Sequence, residues 1–154
     1  MASAPPPASD QADTSTRLTI PGDPLAVRAG LRSLFDTILL RGLTAEDRGA
    51  AEIVLAEALN NIVEHAYSNS HGEIDITLQL RQTELICTIV DTGKPMPDDT
   101  LPEGNLAPFG AVKDLPEGGF GWHVIRTLSK DLHYQRQNGR NQLSFRLDTT
   151  QPAN

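Results

Sequence analysis

Three polar residues recur at intervals of four in EALNNIVEHAY, residues 57–67. Glu57, Asn61 and His65 interrupt a run otherwise made of Leu, Ile, Val and Ala. Residues four apart lie about 6 Å from one another along one side of an α-helix, so the three form a column. A carboxylate in such a column can take a proton as a general base. An amide carbonyl is a hard oxygen ligand suited to Mg²⁺, which keeps several waters and shares substrate phosphates. The same spacing also suits a plain solvated face, and taken alone it leaves both readings open. A second stretch, DTGKP (Asp91 to Pro95), ends an apolar run. A carboxylate there can accept from an exocyclic amine such as that of adenine, while Gly93 permits an unusual backbone angle and close approach of a ligand. An ordinary Asp-x-Gly turn is the alternative. A third, GGFG (Gly118 to Gly121), runs straight into a helical pattern. Glycines let backbone N–H groups crowd a phosphate, and a helix N-terminus favours negative charge. No Lys-Ser/Thr follows, as a Walker loop requires, and no parallel βαβ unit surrounds it, as a dinucleotide fingerprint requires.

The elements that must position these residues are readable from periodicity. TRLTIPG alternates and ends in a turn, which predicts a first strand from about Thr14. Asp23 and Pro24 form an N-cap and first helical residue. Leu31, Leu34, Phe35 and Ile38 follow on one helical face, up to Gly42. Thr44 caps a second helix, with Asp47 three residues on in a capping-box arrangement. That helix is expected from Ala45 to Ser68, with Ile53, Leu55, Leu59, Ile62, Val63 and Ala66 as its apolar residues. Ile74, Ile76, Leu78 and Leu80 alternate as a half-buried strand. LICTIVD is a nearly continuous apolar strand ending at Asp91. Residues 92–121 have no periodicity, and a loop of that length in a compact domain is usually functional. GWHVIRTLSK is a third helix, with Trp122 at its entry as a candidate core residue. A hairpin around NGR carries Leu143, Phe145 and Leu147 on one face. The order β-α-α-β-β-loop-α-β-β gives an α+β fold, a two-layer α/β sandwich. Its sheet is mixed and mostly antiparallel, with the helices on one face.

The bulk properties narrow the function classes. A chain of 154 residues suits one domain. A formal net charge of −7 argues against nucleic acid as a partner, since phosphates need a basic face. The single cysteine, Cys87, lies inside an apolar strand and reads as a small buried hydrophobe. No disulfide can form within the chain, which fits the cytoplasm. No apolar run approaches the roughly 20 residues of a membrane span, so no membrane partner is expected. Residues 1–13 are rich in Pro, Ala and Ser, lack the features of a signal peptide and read as a disordered tail. The domain is expected over 14–148, with 149–154 as a C-terminal tail.

Taken together, the three motifs are far more specific than any one. Their order resembles the Bergerat-fold (GHKL) ATP-binding superfamily shared by histidine-kinase catalytic domains and DNA gyrase. EALNNIVEHAY looks like its N box, DTGKP its first glycine box and GGFGWHVI its second. The branch most similar is the RsbW-like anti-sigma factor serine/threonine kinases, over about Thr16 to Leu147. EHAY, DTGKPMPD, PEGGFGWHVIRTLSKDLHYQR and NGRNQLSF carry that resemblance. It implies a Bergerat fold, ATP and Mg²⁺ as cofactors, and a protein-serine kinase activity. Glu57 would be the general base toward a partner's serine, and Asn61 the Mg²⁺ ligand at the ATP phosphates. Asp91 would bind the adenine amine with Gly93 beside it. Gly119 and Gly121 would sit against the phosphates, under a lid from about Met96 to Gly118. The implied partners are a STAS-domain anti-anti-sigma factor, a sigma factor and a second copy of the chain in a homodimer. His65 belongs to the pattern and is expected to hydrogen-bond at the pocket edge. The chain departs from the pattern at Glu117, where some kinases of the family carry a basic residue; Lys113 is the nearest cation in the lid.

Overall fold

A computed structural model describes residues 15–103 and 119–150. The expected N-terminal tail, residues 151–154 of the C-terminal one, most of the lid, Lys113 and Glu117 lie outside these residues. Five strands form one sheet in the order β1-β2-β3-β5-β4, where β1 is Ser15–Pro21, β2 Glu73–Arg81, β3 Glu84–Asp91, β4 Lys130–Gln137 and β5 Arg140–Asp148. Every pairing between them is antiparallel, so the parallel component expected of a mixed sheet is not found among the described residues. The chain makes each pairing but one through neighbours in sequence. The exception is β3–β5, which brings the two halves of the chain together.

The helices are α1 (Pro24–Phe35), a single turn α2 (Ile38–Arg41), α3 (Ala45–Asn61) and α4 (Gly119–Leu128). Asp23 caps α1 through Ala26 N–H at 2.8 Å, as the Asp-Pro pair predicts. The stripe read through Ile38 does not continue, however. The helix stops at Phe35 and restarts after Thr37, whose hydroxyl donates to Leu34 O at 2.6 Å. This break rotates Ile38 outward, where it is 75 % exposed, while Leu34 and Phe35 stay buried. Thr44 caps α3 through Asp47 N–H at 3.1 Å, but the reciprocal half of the box is absent: the Asp47 carboxylate accepts from Thr150 N–H instead. On α3 the buried residues are Ala51, Val54, Leu55, Ala58 and Leu59, a 3.6-residue face, and Ile53 points outward.

That face packs on one side of the sheet, where Ile74, Ile76, Leu78, Leu85, Cys87, Ile89, Leu143, Phe145 and Leu147 are buried. Residues of the other parity, such as Thr77, Thr88 and Ser144, are only half-buried. LICTIVD is therefore an alternating strand with one fully covered face, and Asp91 shares the parity of Leu85, Cys87 and Ile89. The NGR turn is a two-residue hairpin with both Asn138 and Gly139 at positive φ, as a type I′ turn requires.

Beyond Asn61 the expected α-helix widens into a π-helical turn, Ile62–Ala66, closed by Tyr67 N–H on Ile62 O at 3.1 Å. Such turns are frequent at functional sites. Tyr67 then ends the helical run and ties the layers together. Its ring is so closely flanked by Gly22 and Gly72 that a Cβ at either would lie within 2.5 Å of it. Its hydroxyl donates to Glu73 O at 2.6 Å and accepts from Thr92 N–H at 2.9 Å. Tyr67→Phe removes both bonds while keeping the ring. Equilibrium urea unfolding should show a loss of about 1 kcal/mol, the cost of leaving part-buried backbone groups unpaired; an unchanged midpoint would show that water satisfies those groups instead.

Candidate functional site

Three elements converge at one edge of the helical layer. The end of α3 supplies Glu57 and Asn61, the end of β3 supplies Asp91 and Gly93, and the start of α4 supplies Gly119, Gly121 and Trp122. Between them and β4–β5 lies a cavity of about 790 Å³, within the range of small-ligand sites. Asn61, Ala66, Asp91, Met96, Trp122 and Asn141 are among its walls.

At one end, Gly121 faces the column on α3. A Cβ at that position would sit 2.6 Å from Glu57 Oε2 and 3.6 Å from Asn61 Nδ2. The α4 backbone thus approaches both side chains closely. Asn61 is buried, and its Nδ2 has no hydrogen-bond partner among the described residues. An orphaned buried amide is costly and marks a place where a partner belongs. Turning the amide by half a revolution exchanges its two ends, which presents Oδ1 there as a hard oxygen ligand. Asn61 therefore fits a Mg²⁺ ion that would draw other ligands from phosphate and water, with the Glu57 carboxylate nearby. Among the described residues no cluster of three or more His, Cys, Asp or Glu exists to hold a metal by protein groups alone. Gly119 is the first residue of α4, so the helix N-terminus opens at this end.

At the other end, Asp91 is buried. Burial pushes its carboxyl up from the ordinary range, opposed by hydrogen bonds from Asn141 and Gly93 and by the Arg136 charge. Gly93 N–H donates to Asp91 Oδ1 at 2.9 Å, and Asn141 Nδ2 donates to the same oxygen at 2.8 Å. The expectation for Gly93 needs correcting. Its φ is not positive, and it is glycine because a Cβ would lie 2.3 Å from Ala66 O. The end of the π-turn packs directly on it, and Lys94 N–H donates to that same carbonyl at 2.9 Å.

His65, third in the column, is exposed at the cavity mouth, because the wider π-turn carries it off the line of Glu57 and Asn61. The hydrogen bond expected of it is not found among the described residues. Trp122 is buried, as expected of a core residue, and it also walls the cavity.

Asn141, Tyr134 and Arg136 escaped the reading of the sequence. Asn141 stands directly opposite Asp91 in the β3–β5 register, and opposite Arg136 in β4–β5. Its Nδ2 also donates to Lys94 O at 2.8 Å. Its Oδ1 accepts from Tyr134 Oη at 2.6 Å and from Arg136 Nη1 at 3.0 Å. Arg136 Nη1 also donates to Gly93 O at 2.7 Å, and Tyr134 Oη accepts from Met96 N–H at 2.9 Å. One signal was available: Asn141 continues the buried parity of Leu143, Phe145 and Leu147, so an amide there had to have buried partners.

Comparison with known proteins agrees with this geometry. Proteins named serine-protein kinase RsbW are similar to the chain: that of Bacillus mycoides is 33% identical over 101 residues, covering 64% of this chain and 62% of the relative. That of Bacillus cereus is 32% identical over the same coverage. The chain thus spans about 62% of the length of these relatives. Among solved structures, the RsbU and RsbW domains of a Mycobacterium tuberculosis protein match with a TM-score of 0.59 at 18% identity, covering 90% of this chain and 33% of that one. The catalytic domain of the histidine kinase ThkA matches with a TM-score of 0.50 at 17% identity, covering 90% of this chain and 99% of that one. Both likenesses concern the fold. The family described as the histidine kinase-like ATPase domain matches residues 20–147, most of the chain, and the protein belongs to that family.

Proposed function

We propose that the protein is a Mg-ATP-dependent serine kinase of a bacterial partner-switching system. It phosphorylates a STAS-domain anti-anti-sigma protein and sequesters a sigma factor, acting in the cytoplasm as a homodimer through its 14–148 domain. The observation that carries the reading is a cavity walled by both Asn61 and Asp91, with Glu57 and Gly121 meeting beside Asn61. The similarity to proteins named serine-protein kinase RsbW supports the activity and the partners.

In this reading Asp91 accepts a hydrogen bond from the adenine amine, which places the base among Met96, Trp122 and Leu143. The phosphates reach the Gly119 and Gly121 backbone at the α4 N-terminus. Asn61 Oδ1 would hold the Mg²⁺, which would supply positive charge at the phosphates. Glu57 accepts the proton of the partner's serine hydroxyl as the serine oxygen bonds to the γ-phosphorus; the bond from that phosphorus to the bridging oxygen breaks, and ADP leaves with its electron pair. Glu57 is half-buried and lies beside Gly121, which supports this role. A second reading keeps nucleotide and partner binding without transfer. Glu117 favours it, because an acidic residue in the lid adds negative charge where phosphoryl transfer needs positive charge.

Incubation with Mg-ATP and the STAS protein encoded beside it should yield phosphoserine on that partner. Glu57→Gln should lower the yield about 100-fold or more, the usual share of a general base, with ATP affinity within about threefold of wild type. A wild-type protein that binds ATP but leaves the STAS protein unmodified would reject transfer in favour of the second reading. Calorimetric titration gives an independent check on the metal. Removing Mg²⁺ with EDTA should weaken ATP binding by about tenfold or more in the wild type and have little effect in Asn61→Ala. An equal response of the two proteins would remove Asn61 from the metal site.

A further inference from the structure

Both hydrogen bonds that the described residues make to the Asp91 carboxylate go to one oxygen. Gly93 N–H and Asn141 Nδ2 reach Oδ1 at 2.9 and 2.8 Å. An ionised carboxylate offers about four lone-pair sites on its two oxygens, so two donors fill Oδ1. The orientation of the Asn141 amide is not free. Nδ2 faces three acceptors, Asp91 Oδ1, Lys94 O and, at 3.4 Å, Gly93 O. Its Oδ1 faces two donors, Tyr134 Oη and Arg136 Nη1. Flipping the amide would set oxygen against oxygen on one side and nitrogen against a guanidinium on the other.

We propose that Asn141 is a specificity-determining residue: by filling Asp91 Oδ1 it reduces the carboxylate to a one-oxygen acceptor, which selects adenine over guanine. The proposal rests on the adenine-nucleotide reading above. Adenine presents one exocyclic amino group, which Oδ2 alone can receive. Guanine presents two adjacent parallel donors, N1–H and the 2-amino group. Like the fork of a guanidinium, that pair matches a carboxylate only when both oxygens are open. With Oδ1 filled, one guanine donor stays unpaired in a buried site. Arg136 and Tyr134 are positioning residues here, since their hydrogen bonds to Oδ1 hold the Asn141 amide in this orientation. Tyr134 also holds Met96 N–H, so the same amide fixes the segment from Asp91 to Met96 against the β4–β5 hairpin.

Titrating ATP and GTP separately against the full chain tests this, with thermal melts reporting folding. Wild type should prefer ATP by about 10- to 100-fold, the penalty of one unpaired buried donor. Asn141→Ala should cut that preference about tenfold, because Oδ1 regains a lone-pair site. A purely structural role would weaken both nucleotides together and leave the ratio unchanged. Tyr134→Phe, which keeps the ring and removes one donor to the amide, should shift the ratio the same way by about two- to threefold, and it decides the matter if the alanine variant does not fold. A ratio unmoved in the folded variants overturns the proposal while the nucleotide reading stands, as does a wild type that binds ATP and GTP equally. A wild type that binds neither overturns both.

Discussion

The fold places a carboxylate on the covered face of its sheet, and much of the site follows from keeping it there. Asp91 sits at the end of a strand whose other inward residues are Leu85, Cys87 and Ile89. A charge buried on such a face must be partnered. The partner comes from the next strand in the sheet, and the partner's own acceptor is satisfied from the strand beyond. Arg136, Asn141 and Asp91 thus form a polar line across β4, β5 and β3, at the end of an otherwise apolar surface. The line leaves one side of the carboxylate for a ligand, and it stiffens the chain leaving β3 by holding Gly93 O and Lys94 O.

The second constraint is close approach between backbones. The π-turn after Asn61 brings Ala66 O onto Gly93 and Lys94, and the α4 entry at Gly121 comes against Glu57 and Asn61. Gly93 is required for lack of room and not for an unusual φ, since a Cβ there would meet the Ala66 backbone, whereas at Gly121 it would meet the far end of the Glu57 side chain. α3 and the π-turn that continues it therefore contact both the α4 entry and the chain leaving β3. A helix that continued without the π-turn would bring His65 back under Asn61 and move Ala66 away from β3.

Much of this was legible in the sequence, and the limits have physical causes. The period-2 alternation of β2 and β5 and the 3.6 period of α3 identified the layers, because one face of each element is buried. The caps at Asp23 and Thr44 were readable because they act over three residues. Glu57, Asn61, Asp91 and Gly121 were singled out through spacing and motif; Asn61 and Asp91 wall one cavity, and Gly121 lies against Glu57 and Asn61. Asn141 was not found, since its partner lies 50 residues away and only the β3–β5 register makes them neighbours. The end of α1 was misplaced because Thr37 can stop a helix as readily as continue it, and the apolar Ile38 kept the periodicity going. The backbone angle expected of Gly93 was wrong because sequence shows that a side chain is missing and not what occupies its space.

The central claim is that one adenine nucleotide spans this cavity, base at Asp91 and phosphates at Gly121. Backbone amide NMR on the isotope-labelled protein tests it most directly, by comparing ATP with adenosine. The account predicts that both ligands shift the Gly93 amide and that only ATP with Mg²⁺ shifts the Gly121 amide. Shifts at Gly121 from adenosine alone, or none at Gly93 from either ligand, would contradict it.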